Sequence, residues 1–262
     1  MPSHRGQTGG TERLPFRIQP QPDDFTCGPT CLKAIYDYWG RDVALDDIVA
    51  AVERLPAGGT ADVFLANHAL ENGFRVTICT FNLRIFDPTW FRLGACDLAE
   101  KLRRQREAKA DDQVLVRLSD GYLRFLELGG DLRLVDLSAH LLRSHLRRGM
   151  PILTGLSSTF LYRAPREFGP RDDDDDIRGE PQGHFVVLYG YEPSRGNVLV
   201  ADPFQRNPMA RHYYEAPVER AIGAILLGVL THDANLVVIE PKKSRFAGKR
   251  TGANDAQSRR RQ

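Results

Sequence analysis

Behind Gly28 and Pro29, the apolar residues Leu32, Ile35, Tyr36 and Trp39 recur at three- and four-residue spacing. This predicts a helix from about Gly28 to Trp39, stopped by Gly40, with Pro29 in the first turn where a missing N–H is tolerated. Leu45, Ile48, Val49 and Val52 extend the same period over 44–55, with Asp42 as the expected N-cap, and Thr60 is placed to cap a helix running to about Asn72. Residues 74–81 alternate Val76, Ile78 and Thr80 against Thr77 and Cys79 and read as a strand. A charged amphipathic helix is expected over 97–108, and another over 139–148 behind Ser138, followed by a buried strand over 152–156. The short mixed runs 114–118, 122–128 and 132–135 stay unassigned, 122–128 fitting a helix about as well as a strand. Residues 183–191 and 197–201 are apolar strand-like runs joined by the turn Glu192 to Gly196. A helix over 218–222 and β-rich runs over 224–230 and 236–239 complete the pattern. Helices concentrated in the first half and antiparallel strands in the second give an α+β architecture.

The polar positions interrupting this pattern carry the candidate chemistry. Cys27 falls at the start of the first helix, where unsatisfied N–H groups and the helix dipole favour a thiolate and draw its pKa below that of a free thiol. His184 opens one strand-like run and Asp202 follows the next, so two neighbouring antiparallel strands would bring them together. Gln21 lies six residues before Cys27, within a turn of it, and its amide N–H and the Cys27 backbone N–H would converge on one point. Taken singly, each residue also has a plainer reading: a buried small Cys, a strand-capping His, an Asp-Pro turn and a surface Gln.

Together, Gln21 and the Cys27-Gly28-Pro29-Thr30-Cys31-Leu32 run, the distant Gly183-His184-Phe185-Val186-Val187-Leu188 run and the Val200-Ala201-Asp202-Pro203 end resemble the C39-like branch of the papain-like cysteine peptidases. The resemblance implies a papain-like fold, a helical lobe with its nucleophile helix packed on an antiparallel sheet lobe, and a site in the cleft between them. It also implies roles: Cys27 as nucleophile, His184 as general base and acid, Asp202 orienting the imidazole, and Gln21 as an oxyanion donor. His184 follows Cys27 by 157 positions, as in a papain-type layout where the pair meets in space. The expected activity is cysteine-dependent hydrolysis of a peptide or other amide through a thioester. The alternatives are acyl transfer or peptide ligation with an amine acceptor, or a non-catalytic peptide-binding domain. Relatives include leader-peptide processing domains fused to transporters; with no transporter here, a stand-alone intracellular role on peptides or modified amino-acid chains is expected.

Composition narrows the picture further. With 42% apolar and 27% charged residues the chain has an ordinary globular make-up, and no apolar window approaches a membrane span or a signal peptide, so a cytoplasmic protein is expected. Cys27, Cys31, Cys79 and Cys96 are too few and too scattered for a disulfide framework, although Cys31 could bridge reversibly to Cys27 under oxidation. No cofactor is implied; a metal site built on Cys27 and Cys31 lacks further ligands at recognisable spacing, and His140 and His145 have no partner at ligand spacing. Residues 242–262 carry eight Lys or Arg against one Asp, a tail of +7 that leaves the rest at −5 within a net +2. Three units are therefore expected: a flexible N-terminus over 1–13, one domain over 14–241 and a disordered basic tail over 242–262, with no nucleic-acid partner indicated for the folded part.

The segment 157–182 is the least ordinary. Five consecutive aspartates, Asp172 to Asp176, are read as a solvated loop or as a flap beside the site that attracts a cationic substrate. Tyr162, Arg163 and Arg166 are candidate substrate-binding residues there, the arginines able to hold a carboxylate.

Overall fold

The computed structural model of the chain describes residues 11–56, 58–92 and 95–242, apart from the side chains of 95 and 96. The expectations for residues 1–10, for the tail from 243 onward and for the Cys96 side chain lie outside the described residues. In chain order the elements are strand β1 (Glu12–Arg13), helices α1 (Cys27–Tyr38), α2 (Leu45–Ala51) and α3 (Asp62–Glu71), and strand β2 (Phe74–Thr80). Helices α4 (Ala95–Ala108) and α5 (Gln113–Glu127) follow, then β3 (Asp131–Leu134), α6 (Ala139–Arg147), β4 (Ile152–Ser157) and α7 (Ser158–Tyr162). Strands β5 (Glu167–Phe168), β6 (Asp173–Asp174), β7 (Gly183–Glu192), β8 (Asn197–Ala201) and β9 (Tyr213–Pro217), helix α8 (Val218–Leu227) and strand β10 (Asn235–Pro241) complete the chain.

The main sheet runs β3-β2-β10-β4-β7-β8-β9, with β1 added beside β7, and every pairing in it is antiparallel except β2 with β3. Its central strands alternate between two cores, as period-two side chains must. Leu153, Phe185, Val187, Tyr189 and Val237 pack on one face with α1, α3 and α5. Ile152, Leu156, Val186, Leu188 and Val238 pack on the other with α6 and α8. The fold is α+β, with α1 on the sheet as expected, and α6 and α8 add a layer on the far face.

Several elements differ from the pattern-based reading, each for a local reason. The unassigned region 113–127 is one helix: Leu115, Leu118, Tyr122 and Phe125 are buried along a single stripe, and Asp112 caps it by accepting from the Leu115 N–H at 3.0 Å. Residues 224–230, expected as β-rich, continue α8 and then tighten into a 3₁₀ turn over Gly228–Thr231, because Ala221, Ala224 and Ile225 form a buried helical stripe. Helix α2 starts at Leu45 without a side-chain cap from Asp42, and the Thr60 hydroxyl donates to the Glu53 carbonyl at 2.6 Å instead of capping α3. At the N-terminus the chain joins the sheet two residues before the expected boundary: Glu12 and Arg13 pair with Tyr191 and Gly190. Gly190 permits this approach, since a Cβ there would lie 2.4 Å from the Glu12 carbonyl oxygen. No helix among the described residues is long and apolar enough to cross a membrane.

Candidate active site

Cys27 is the first residue of α1, half-buried, and Thr26 before it makes no side-chain cap. The Thr26 hydroxyl donates to the Asp23 carbonyl at 3.3 Å, so it does not cap the first-turn N–H groups. Gly28 brings α1 close to the sheet and to α3: a Cβ there would meet Thr60 Cγ2 at 2.8 Å, Leu65 Cδ1 at 3.0 Å and Phe185 Cδ2 at 3.3 Å. Behind the nucleophile, Cys31 is fully buried and its thiol donates to the Phe185 carbonyl at 3.3 Å.

Of the two readings of Cys31, packing beneath Cys27 or a reversible disulfide with it, the disulfide does not suit this geometry. Residues four apart on a helix have Cβ atoms about 5–6 Å apart, whereas a disulfide needs about 3.5–4.5 Å. Burial, with the Cys27 and Asp202 charges adding to it, also pushes the Cys31 thiol well up. Cys31 is a packing thiol under the site.

His184, second in β7, pairs in register with Leu156, and Asp202 directly follows β8, whose Ala201 pairs with Val187. This places the imidazole Nε2 at 2.8 Å from Asp202 Oδ1. The other nitrogen, Nδ1, is not engaged by Asp202, and the imidazole and the Cys27 thiol are close enough to shift one another's titration. The Tyr162 and Phe204 rings flank the imidazole at centroid distances of 6.4 and 6.0 Å.

The electrostatics follow from that chain. Burial alone would raise the Cys27 pKa, but the hydrogen bond and charge of His184, with backbone hydrogen bonds from Phe185 and Gly28, outweigh it and draw the thiol down. Burial would likewise favour neutral His184, yet the Asp202 charge and hydrogen bond, then the Cys27 contact, raise the imidazole to about 10. The two groups thus favour each other's charged forms, thiolate and imidazolium.

Asp202 is fully buried and accepts four hydrogen bonds. Oδ1 takes His184 Nε2 and, at 2.9 Å, the Phe204 N–H; Oδ2 takes the Tyr162 hydroxyl at 2.6 Å and the Tyr214 hydroxyl at 2.8 Å. Its backbone is held by His212, whose carbonyl accepts from the Asp202 N–H at 2.8 Å and whose Nδ1 lies 2.7 Å from the Asp202 carbonyl. Burial opposes ionisation here, but His184 and the two tyrosines win, and the carboxyl titrates below its ordinary value.

Gln21 is tied to the same corner, its backbone N–H donating to the Pro203 carbonyl at 2.9 Å. Its side-chain Nε2 donates to the Asp23 carbonyl at 2.8 Å, which engages one of its two N–H groups.

The expected substrate-binding set is only partly placed at the site. Tyr162 does reach it, but its hydroxyl is engaged by Asp202. Arg166 donates from Nη2 to the Asp176 and Ile177 carbonyls at 2.6 and 3.4 Å, across the base of the β5–β6 hairpin. Arg163 is exposed in a left-handed conformation at φ 55° just after α7. The aspartate run forms β6 and the turn after it, and Asp175 accepts from the N–H groups of Ile177 and Arg178 at 3.0 and 2.8 Å. Those hydrogen bonds, with the Arg178 side chain, hold the Asp175 carboxyl down at about 2.

Sequence reasoning missed Tyr214, although Tyr214 and Ala216 alternate as buried residues with exposed Tyr213, Glu215 and Pro217, and that period-two pattern marks Tyr214 as inward-facing. It also missed the buried pair Asp62 and Asp233 beside this region. Asp62 accepts from Asn235 Nδ2 and, at 3.5 Å, from the Tyr122 hydroxyl, and Asp233 is buried with it. Among the described residues no group of three or more His, Cys, Asp or Glu is arranged to hold a metal ion.

A thiol at a helix N-terminus, drawn down by a His that leans on a buried Asp, is the kind of arrangement a cysteine peptidase uses. In agreement, residues 105–222 match the model of the Peptidase_C39 like family, a span under half the chain that contains His184 and Asp202 but neither Gln21 nor Cys27. The chain is thus similar to C39-like, papain-like cysteine peptidases, as the motifs implied. Distant likenesses of fold accompany the match. A putative C39-like peptidase from Bacillus anthracis is 13% identical over 89% of this chain and 99% of its own, with a TM-score of 0.49. Xylellain, a cysteine protease from Xylella fastidiosa, is 14% identical over 90% and 87%, with a TM-score of 0.42. The peptidase domain of Streptococcus ComA, a bi-functional ABC transporter, is 13% identical over 87% and 99%, with a TM-score of 0.41. No curated protein matches the sequence.

Proposed function

We propose that the chain is a cysteine-dependent amide-bond hydrolase acting on peptides through a Cys27–His184–Asp202 triad. The observation that carries this reading is the 2.8 Å contact of His184 Nε2 with the buried Asp202 Oδ1, beside a half-buried thiol at the start of α1 that His184 draws down. The Cys27 thiolate attacks the amide carbonyl carbon, and the resulting oxyanion takes hydrogen bonds from the Cys27 backbone N–H and the second amide N–H of Gln21. His184 Nδ1 gives its proton to the leaving nitrogen as the C–N bond breaks, which leaves an acyl thioester on Cys27. Neutral His184 then takes a proton from water, hydroxide adds to the thioester, and the C–S bond breaks to return thiolate and imidazolium. An amine in place of water would make the same residues an acyl transferase; hydrolysis is favoured because every residue assigned here serves it without a separate amine subsite.

The test is the pH dependence of iodoacetamide alkylation at Cys27, located by peptide mapping, in wild type and His184→Ala. Rapid alkylation well below pH 8 that the variant loses supports the pair. Alkylation like that of a free thiol, indifferent to His184, would overturn it.

A further inference from the structure

Asp202 uses its two oxygens differently. Oδ1 faces His184, while Oδ2 makes no contact with the imidazole and receives only the Tyr162 and Tyr214 hydroxyls. A buried carboxylate oxygen lacking donors would favour protonation of the group, and a neutral Asp202 would no longer hold His184 as imidazolium. Both tyrosines are suited to donate. Burial, with the Asp202 charge adding to it, drives their pKa values far up, so each keeps its proton.

The two donors come from different elements and meet at the same carboxylate oxygen. Tyr214 sits in β9, paired with Val200 of β8 two residues before Asp202. Tyr162 ends α7, and that helix is stitched to the residue before β7: the Ser158 N–H donates to the Gln182 carbonyl at 2.9 Å, and the Gln182 N–H to Thr159 Oγ1 at 2.9 Å. Tyr162 and His184 thus share one rigid corner.

We infer that Tyr162 and Tyr214 are positioning residues for the reaction, clamping Asp202 Oδ2 so that the carboxylate stays ionised and presents Oδ1 to His184. This rests on the triad reading above and reassigns Tyr162 from substrate contact to support of Asp202.

The test is the titration of the Asp202 carboxyl by ¹³C NMR in the full chain, with the Cys27 alkylation rate at pH 6, for Tyr162→Phe, Tyr214→Phe and the double variant. Phenylalanine keeps the ring packing and removes only the hydroxyl, so a purely structural role leaves the titration in place. The clamp requires the double variant to raise the Asp202 midpoint by about one pH unit or more and to slow Cys27 alkylation roughly tenfold, as a neutral Asp202 ceases to support the imidazolium. If the double variant does not fold by circular dichroism, the single variants decide, each expected to raise the midpoint by about half a unit. An unmoved midpoint overturns the clamp; a raised midpoint with unchanged alkylation overturns its role in positioning. Failure of the triad itself is read separately, from alkylation of His184→Ala with both tyrosines intact.

Discussion

Gln21 and Gly28 lie on either side of Cys27, and each has a consequence that can be measured. If Gln21 supplies one oxyanion donor, Gln21→Ala lowers peptide p-nitroanilide hydrolysis by about 10²–10³. It leaves iodoacetamide alkylation of Cys27 unchanged, because alkylation develops no oxyanion; equal loss in both assays would show that the Gln21 side chain merely holds the turn before Cys27 through the Asp23 carbonyl. Gly28→Ala forces a methyl group against Thr60 and Leu65 at 2.8 and 3.0 Å. The expected cost is about 1–3 kcal/mol, read from the urea midpoint, with slower Cys27 alkylation as α1 is pushed off Phe185.

At the scale of elements, the N-terminus of α3 is the least comfortable part of the structure. Burial raises Asp62 to about 6 and, reinforced by Asp62, holds Asp233 well above the ordinary carboxylate range. A carboxyl whose folded pKa is raised contributes stability below its unfolded value and loses it as pH rises through the folded value. The thermal midpoint is therefore expected to fall between about pH 5 and 7 in wild type and to change less over that range in Asp233→Asn. A parallel decline in both proteins would mean that the pair is not the source.

The same element explains a limit of the sequence. Cys27 and His184 could be found because each sits at a junction where the apolar pattern breaks, and Asp202 because it closes a strand before a proline. Asp62 and Asp233 are 171 residues apart, and only the packing of α3 against the loop before β10 joins them. Tyr162 and Tyr214 were visible as aromatic residues, but a hydroxyl aimed at a carboxylate leaves no mark in spacing. Residues 113–127 stayed unassigned because their stripe is interrupted by Ser119 and Gly121, and both are small where the helix meets α3: a Cβ at Gly121 would lie 2.7 Å from Phe64 Cε1.

Across the whole molecule, one sheet serves two cores, and β7 contributes Phe185, Val187 and Tyr189 to one and Val186 and Leu188 to the other. Neither core can loosen alone while β7 remains paired. Leu188→Ala, on the face away from α1, is expected to cost about 2–5 kcal/mol. Because β7 also carries His184, exposure of Cys27 to alkylation and loss of near-ultraviolet circular dichroism should shift to lower urea together. Separate transitions would show two independently folding layers. Asp202 acts on the acid side of this stability: its folded pKa is depressed, so its contribution is present above the unfolded value and is lost as pH falls through the folded one.

The stitching of α7 to Gln182 also sets where the chain tolerates change. Between Tyr162, held by Asp202, and Gln182, held by Ser158 and Thr159, the intervening residues leave and return at fixed feet. For a loop with such feet, each doubling of length costs only about 0.6 kcal/mol of closure entropy. The hairpin is thus a socket into which a longer recognition loop or a foreign peptide can be grafted, while the thiol, the imidazole and the carboxylate keep their places.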